Sequence, residues 1–300
     1  MSEKLIVVLG PTAVGKTRFA VKLAYKFNGE IISADSRQVY KYMNIGTGKD
    51  LEEYSVNNIT IPYHLIDIIS PQKEYNLFLF QKNFTDAFNK ISGKRKLPFL
   101  VGGTGLYVHS ILKKYPLVKV DFNSPRANEL SAMKKPELEK ILNSLPKNLH
   151  NTTDTIDKER TIKAILIAEA KKNKKNQLPE FVPLVIGITE DRDIIKKRIT
   201  VRLKTRLKNG MIEEVENLIA SGISFEKLNF FGLEYKFVGM YITGKLNYND
   251  MFQKLNSAIH QFAKRQMTWF RKMEKEGIII NWLNSDEVLK AEKLINDFLI

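Results

Sequence analysis

Short apolar runs alternate along the first third of the chain with segments whose apolar residues recur at helical spacing. The apolar runs are Leu5–Leu9, Ile31–Ile32 and Pro98–Val101, and the helical segments are Lys16–Lys26 and Lys82–Ile91. Continuously apolar strands that alternate with helices are typical of a parallel sheet covered on both faces. The pattern therefore predicts an α/β fold.

The pattern changes between residues 113 and 180, where strand signals vanish and prolines separate helical pieces. The run Pro183–Thr189 then resumes the sheet, and helical spacing follows at about 191–209, 211–221 and 249–275. A late strand is predicted at Gly277–Trp282, before a final amphipathic helix. We therefore predict a core of residues 1–112 and 181–300 with a helical insertion at 113–180, which we expect to bind a nucleic acid.

A glycine-rich motif, G-x-x-x-x-G-K-T, joins the first strand to the first helix. Such a loop points backbone N–H groups at phosphate oxygens, and the helix N-terminus adds partial positive charge. Lys16 supplies a point charge, and the hydroxyl of Thr17 is placed to hold Mg²⁺. We predict a parallel sheet like that of P-loop NTPases, flanked by helices. The motif assigns diphosphate or nucleotide binding to Gly10, Pro11, Thr12, Ala13, Val14, Gly15, Lys16 and Thr17.

Two further observations concern the chemistry at this sheet edge. No acid follows the strand Pro98–Val101, which weakens the interpretation as a motor ATPase because such enzymes hold Mg²⁺ with an acid there. Asp35 follows the second strand, at the edge that faces the ligand crevice in open α/β sheets. It is either a base or metal partner, or a turn and N-cap residue. Gln38 carries donors and acceptors that suit the edge of a base.

The charge balance changes the picture from a phosphate-binding protein to one with a polyanionic partner. The chain has 48 Lys and Arg against 33 Asp and Glu, a formal net charge of +15, and no cysteine. This excess favours a nucleic acid or another polyanion. The lack of cysteine excludes a disulfide scaffold, a thiolate metal site and a cysteine nucleophile. No apolar run is long enough to span a membrane, so we expect a cytoplasmic protein without a membrane partner.

Basic segments are the candidates for anion contact. Arg198, Arg202 and Arg206 fall on one face of a predicted helix, which favours a bound anion over a solvated face. Lys264–Lys272 mixes bases with Trp269 and Phe270, which either contact a nucleotide or belong to the core. Two further basic tracts are interpreted as loops or solvated faces: Lys94–Lys96 and Lys171–Lys175.

Taken together, these motifs resemble those of the bacterial tRNA dimethylallyltransferases, which modify an adenosine next to the anticodon. The resemblance spans most of the chain and follows the order of the family's motifs. The residues that carry it are Gly10–Thr17, Ser33–Tyr40, Ile45–Lys49, His64–Asp67, Gly102–Tyr107 and Ala263–Arg271.

The resemblance implies transfer of a dimethylallyl group from dimethylallyl diphosphate to the exocyclic N6 of that adenosine, with Mg²⁺ as cofactor. Asp35 would be the base, and Lys16 and Arg202 would contact the diphosphate. From its place in the chain, Thr47 would add a hydroxyl to the same crevice. We expect a monomer that binds the anticodon stem-loop of tRNA. The residues expected at the tRNA are Asp35, Ser36, Arg37, Gln38, Thr104, Arg126, Glu159, Arg160 and Lys163.

The chain departs from the family pattern in places, and two other functions share some of its features. Lys163 replaces an arginine, Leu166 replaces a glutamate, and Gly232–Tyr235 replaces a Gly-Tyr pair. A P-loop small-molecule kinase would explain the phosphate loop and Asp35. It would explain neither the charge excess nor the three arginines on one helix face, which we name the arginine stripe (Arg198, Arg202 and Arg206). An RNA-binding protein with a vestigial pocket conflicts with the intact phosphate loop.

Overall fold

The computed structural model describes residues 3–145, 157–170 and 177–300. The chain forms two compact units, one of Met1–Lys113 with Pro179–Ile300 and one of Lys114–Leu178. Within the described ranges, no helix combines the length and the apolar character that crossing a bilayer requires.

The larger unit is built on a six-stranded sheet in the order β5–β2–β6–β1–β7–β8, in which every neighbouring pair is parallel. Two short strands, β3 and β4, pair antiparallel outside this sheet. The strands are β1 (Glu3–Leu9), β2 (Gly29–Ser33), β3 (Ser55–Val56), β4 (Ile59–Thr60), β5 (Tyr63–His64), β6 (Leu97–Gly102), β7 (Phe181–Thr189) and β8 (Asn281–Asn284).

The helices α4 to α6 belong to the smaller unit, and the others belong to the larger one. A short 3₁₀ helix at Leu51–Tyr54 precedes β3. The helices are α1 (Lys16–Lys26), α2 (Leu77–Gly93), α3 (Gly105–Leu112), α4 (Pro125–Ala132), α5 (Lys135–Ser144), α6 (Lys158–Glu169), α7 (Arg192–Lys208), α8 (Met211–Ala220), α9 (Phe225–Phe231), α10 (Leu233–Ile242), α11 (Tyr248–Lys275) and α12 (Val288–Leu299).

The α/β prediction is confirmed, and two details of it are wrong. The late strand is Asn281–Asn284 rather than Gly277–Trp282, because Gly277 ends α11 in a left-handed conformation and the N–H of Ile278 still bonds back to Met273. The sequence pattern also does not predict α9 and α10, where aromatic residues obscure the helical spacing.

Both faces of the central strand β1 are buried. Ile6 and Val8 pack with α1 and α12, and they share a core cluster with Phe19 and Ile295. Side chains alternate between the two faces of a sheet along a strand, so Leu5, Val7 and Leu9 lie on the opposite face. These three residues are also fully buried. Two covered faces explain why this strand is apolar at every position.

The smaller unit has a core of its own between α4, α5 and α6. Ser124 caps α4 by accepting from the N–H of Ala127 at 3.3 Å, and Asp157 caps α6 by accepting from the N–H of Arg160 at 2.8 Å. Leu166 is buried in this core, so an apolar side chain at that position stabilises the helix packing.

A buried carboxylate corrects the interpretation of one basic tract. Glu30 lies on β2 and is fully buried, and its oxygens contact the Nζ atoms of Lys94 at 3.1 Å and Lys96 at 3.0 Å and Nε2 of His64 at 2.8 Å. Lys94–Lys96 forms the turn between α2 and β6, as the loop interpretation predicted, but Lys94 and Lys96 are ion-paired to a buried carboxylate and are not simply solvated. The other tract, Lys171–Lys175, lies outside the described residues.

The Glu30 cluster makes stability depend on acid. Burial by itself would raise the pKa of Glu30, but the hydrogen bonds from His64, Lys96 and Lys94 prevail and lower the pKa to about 2. A lowered pKa means that the cluster stabilises the fold fully above the ordinary carboxyl pKa, and that this contribution is lost as the pH falls towards 2.

We expect the substitution Glu30→Gln to reduce the free energy of unfolding at neutral pH by about 1.5–3 kcal/mol, because hydrogen bonds to a charged group are lost. The variant should also lose less stability than the wild type as the pH falls below about 4.5. Urea unfolding at several pH values measures both effects. Parallel pH curves for the two proteins would show that Glu30 is not the group that titrates.

Candidate active site

The glycine-rich motif forms a loop at the carboxyl end of β1, between the ends of β6 and β7. Gly10 has φ 153°, and a Cβ at this position would overlap the carbonyl oxygen of Ile188 in β7. Ala13 has φ 66°, in the left-handed region that non-glycine residues rarely adopt. The loop is therefore a tight, strained turn at the edge where parallel sheets bind ligands.

The loop opens into a cavity of about 630 Å³ in the larger unit. Most of the site residues predicted in the larger unit line it, although Gly10, Pro11 and Val14 do not. Val14 instead belongs to the core behind the loop. The predicted residues that line the cavity are Thr12, Ala13, Gly15, Lys16, Thr17, Asp35, Ser36, Arg37, Gln38, Thr47, Thr104 and Arg202.

Asp35 lies at the cavity, two residues beyond β2. Its Oδ1 accepts from the N–H groups of Arg37 at 2.8 Å and Gln38 at 3.3 Å. One oxygen therefore closes a turn, as the alternative interpretation of this residue predicted. The turn fixes the carboxylate at the cavity wall, so the structural role and a role in proton transfer are compatible.

Lys16 and Arg202 bring positive charge to the same cavity from different elements, α1 and α7. Burial and the nearby Arg202 lower the pKa of Lys16 to about 8. Burial and Arg206 likewise lower the pKa of Arg202. Nζ of Lys16 donates to the carbonyl of Pro11 at 2.7 Å. Lys16 and Arg202 are therefore partly desolvated cations that lie close to each other, an arrangement that favours binding of an anion.

The arginine stripe on α7 divides into two parts. Arg202 and Arg206 line the cavity and share one carboxylate, with Nη2 atoms 3.1 Å and 3.8 Å from Asp50 Oδ2. Arg198 instead pairs with Glu190 at 3.1 Å. The structure therefore brings two of the three arginines to the cavity, and Arg198 does not line it.

The segment between residues 43 and 50 forms another wall. The hydroxyl of Thr47 donates to the carbonyl of Met43, so its oxygen can only accept further hydrogen bonds. Nε2 of Gln38 donates to the carbonyl of Gly48 at 3.0 Å. Thr47 and Gln38 thus lie at the cavity as predicted, and both also hold the backbone of this wall.

Polar and charged groups that follow β2 and β6 form a further part of the cavity wall. Oγ1 of Thr104, just before α3, accepts from the N–H of Ser36 at 3.1 Å. The Arg37 guanidinium lies 4.9 Å from the ring centroid of Phe230. Burial lowers the pKa of Arg37, against the pull of Asp35. This part of the cavity wall therefore carries hydrogen-bond donors and a partly desolvated cation.

Helix α11 resolves the two interpretations of its basic-aromatic segment. Trp269 lines the cavity, whereas Phe270 is buried in the core.

Gln266, which sequence reasoning missed, accepts from the N–H of Thr12 at 2.8 Å and donates to the carbonyl of Gly103 at 2.8 Å. It joins the phosphate loop to the Gly-rich turn after β6. The sequence carries no signal for this contact beyond the presence of Gly103, where a Cβ would overlap Gln266.

The predicted tRNA residues of the smaller unit are all ion-paired. Arg126 contacts Glu169 and Glu129, each at 2.8 Å, and the hydrogen bonds that its guanidinium donates to these carboxylates raise the pKa of Arg126. On α6, Lys163 pairs with Glu159 at 2.5 Å. Arg160 pairs similarly with Asp157, at 3.3 Å.

Comparison with known proteins agrees with this geometry. The family model described as IPP transferase matches residues 38–273, and the model described as isopentenyl transferase matches residues 3–61. A tRNA dimethylallyltransferase of Geotalea uraniireducens is 52% identical over 287 residues, covering 95% of this chain and 94% of the relative.

Solved structures show the same fold. The tRNA isopentenylpyrophosphate transferase of Bacillus halodurans aligns with a TM-score of 0.72 at 30% identity, covering 98% of this chain and 96% of that one. A eukaryotic dimethylallyltransferase, captured acting on tRNA, aligns with a TM-score of 0.78 at 23% identity, covering 99% and 80%. With half of its residues shared with a curated relative over nearly its full length, the chain belongs to the tRNA dimethylallyltransferase family of IPP transferases.

Proposed function

We propose that the protein transfers a dimethylallyl group from dimethylallyl diphosphate to the exocyclic N6 of the adenosine on the 3′ side of the tRNA anticodon. The observation that carries this proposal is the meeting of three groups in one cavity: the phosphate loop, the Arg202–Arg206 pair and the Asp35 carboxylate. The first two form an anion site, and the third lies where a proton must be removed.

The leaving group is diphosphate, and breaking the allylic C–O bond increases the negative charge on its oxygens. Lys16, on α1, and Arg202, on α7, line the cavity in which the diphosphate would bind. The N–H groups of the phosphate loop add fixed donors. Groups arranged in advance around developing charge stabilise the transition state more than the ground state. The phosphate loop therefore serves a leaving group here, rather than the terminal phosphate of ATP.

Mg²⁺ fits the residues at the diphosphate. Thr17 lines the cavity with the carboxylates of Asp35 and Glu53. In the described ranges, no three His, Cys, Asp or Glu side chains cluster as a cage for a metal. Mg²⁺ commonly keeps several waters and binds through one or two protein ligands plus phosphate oxygens. Thr17 would hold the ion against the diphosphate, where it would neutralise the leaving group's charge.

The nucleophile is weak because the N6 lone pair is delocalised into the adenine ring. Asp35 would accept the N6 proton as the C–N bond forms. Its turn with Arg37 and Gln38 fixes the carboxylate before substrate arrives. A positioned general base typically contributes about 10²–10⁴-fold to the rate.

The target base must leave the anticodon stack to reach the cavity, at a cost of a few kcal/mol. Ser36, Arg37, Gln38 and Thr104 lie at the wall, and Trp269 offers a ring to stack against. These contacts would offset the unstacking. In the smaller unit, Arg126, Glu159, Arg160 and Lys163 would contact the stem of the tRNA, with the basic residues exchanging their carboxylate partners for phosphates.

The two rivals make different predictions from this proposal. A kinase would consume ATP, and a vestigial RNA-binding protein would bind tRNA without turnover. The relatives and the solved structures favour the transferase over the kinase. Incubation with unmodified tRNA and dimethylallyl diphosphate, followed by mass spectrometry of the nucleosides, tests the proposal directly. Dimethylallyl-adenosine is the expected product, and its absence with an intact tRNA substrate would refute the proposal.

We expect Asp35→Asn to lower kcat by about 10²–10⁴-fold, because the amide cannot take the N6 proton. The asparagine oxygen can still accept from the N–H groups of Arg37 and Gln38, so the turn and the Kd for tRNA should be preserved. Single-turnover kinetics and a tRNA titration measure the two quantities. A variant that turns over at nearly the wild-type rate would remove Asp35 from the chemistry.

The salt dependence of the Kd for tRNA tests the proposed contact between the smaller unit and the tRNA. We expect Arg126→Ala to weaken tRNA binding and to reduce the slope of log Kd against log salt by about one unit, as for one lost phosphate contact. The Kd for dimethylallyl diphosphate should not change. Lys90→Ala, an exposed lysine in the last turn of α2, is the control for loss of one positive charge. Equal slopes for Arg126→Ala and the wild type would exclude a phosphate contact at Arg126.

A further inference from the structure

A single carboxylate outside the cavity holds the wall formed by residues 44–50, which we name the anion wall. Glu214 lies on α8, and its Oε2 accepts from the N–H groups of Asn44 and Ile45, both at 2.7 Å. Its Oε1 accepts from the N–H of Gly46 at 2.9 Å and from the hydroxyl of Tyr235 at 2.7 Å. A carboxylate has about four acceptor sites, and this one uses all of them.

The far end of the anion wall is fixed as well. The buried Nζ of Lys49 donates to Oδ1 of Asn44 at 3.2 Å, to the carbonyl of Tyr40 and to Asp67. With the hydrogen bond from Gln38 to Gly48, the segment is tied at several points along its length. It is a stiff element rather than a free loop.

The anion wall in turn positions the two cavity arginines. Asp50, at its end, pairs with both Arg202 and Arg206. Gly48 has φ 64°, and a Cβ there would overlap the Arg206 guanidinium and lie 3.3 Å from Nη2 of Arg202. The backbone of the wall therefore packs directly against both guanidinium groups, so displacing the wall displaces the charges.

We propose that Glu214 is a positioning residue for the diphosphate site. Its hydrogen bonds fix the anion wall, and the wall holds Arg202 and Arg206 in the arrangement that receives diphosphate. Tyr235 orients the carboxylate by occupying one of its acceptor sites. This inference rests on the proposed function for the identity of the anion. Glu214 does not line the cavity, so it acts through the arginines and not on the substrate.

The substitution Glu214→Gln tests the positioning role while it preserves the size and packing of the side chain. Three backbone N–H groups and one hydroxyl surround the carboxylate. An amide must point its NH₂ at either the Asn44 and Ile45 donors or the Gly46 donor, so at least one N–H loses its acceptor. The helix, its packing and the side-chain volume are unchanged. Tyr235→Phe removes only one hydrogen bond and leaves the three that hold the wall.

The experiment measures the Kd for inorganic diphosphate by calorimetry in the absence of tRNA, together with Tm and the Kd for tRNA. We expect Glu214→Gln to weaken diphosphate binding by about tenfold or more, as for loss of hydrogen bonds to a charged group. The Kd for tRNA should stay within a few-fold, and Tyr235→Phe should have a smaller effect. Glu216→Gln, an exposed glutamate on the same helix, is the control for charge.

A double-mutant cycle with Arg202→Ala completes the test. If Glu214 acts through the arginines, Glu214→Gln should weaken diphosphate binding much less in the Arg202→Ala background. Additive effects, or unchanged diphosphate affinity in a folded Glu214→Gln protein, would overturn the inference. Should Glu214→Gln fail to fold, Glu214→Asp replaces it, because it keeps the charge but draws the carboxylate back by one methylene from the three N–H groups that it holds. A folded Glu214→Asp protein that binds diphosphate as the wild type does would overturn the inference as well. A wild type that binds diphosphate but makes no modified adenosine would instead refute only the proposed function.

Discussion

The site depends on positive charges that are held close together and partly out of water. Lys16, Arg202 and Arg206 meet at one cavity, where Asp50 pairs with the two arginines. Burial and mutual repulsion lower the pKa of Lys16 to about 8 and also lower that of Arg202. Such an arrangement is unfavourable without a ligand and becomes favourable when a diphosphate arrives. The rest of the fold supplies the rigidity that keeps these charges in place.

That rigidity comes from contacts between elements that are distant in sequence. The central strand β1, buried on both faces, fixes the start of the phosphate loop. Gln266 ties the loop to the turn after β6, and Glu214 ties the anion wall to α8. Each of these side chains uses both of its polar oxygen or nitrogen atoms. The diphosphate of the proposed reaction would therefore enter a site whose donors are already oriented, so little binding energy would be lost to ordering them.

The sequence predicts features formed by contiguous segments, but it does not predict which distant residues come into contact. The phosphate loop was predictable because strand, turn and helix are contiguous, and Asp35 because parallel strands end at one edge of a sheet. Helical periodicity placed Arg198 and Arg202 on one face, but it carries no information about which carboxylate each one meets. Arg198 pairs with Glu190, whereas Arg202 reaches Asp50, 152 residues away.

The contacts of Gln266 and Glu214 were beyond sequence reasoning for the same reason. Gln266 bonds to a residue 254 positions away, and Glu214 to residues about 170 positions away. Their neighbours in sequence form ordinary amphipathic helices, so nothing local marks them. The ion pairs of Lys94 and Lys96 were not predicted, because their partner, Glu30, is a charged residue inside a strand that otherwise looks apolar.

The pH dependence of substrate binding tests the central claim, that the phosphate loop presents a partly desolvated lysine to a diphosphate. We would titrate dimethylallyl diphosphate without tRNA, so that no turnover occurs, from about pH 7 to about pH 9.5. A pKa of about 8 for Lys16 means that its charge is lost above that pH, so wild-type affinity should fall there by up to about tenfold per pH unit. Lys16→Gln should bind weakly and show no such fall. Wild-type affinity that stays constant to the end of the range, or an equal fall in Lys16→Gln, would contradict the account.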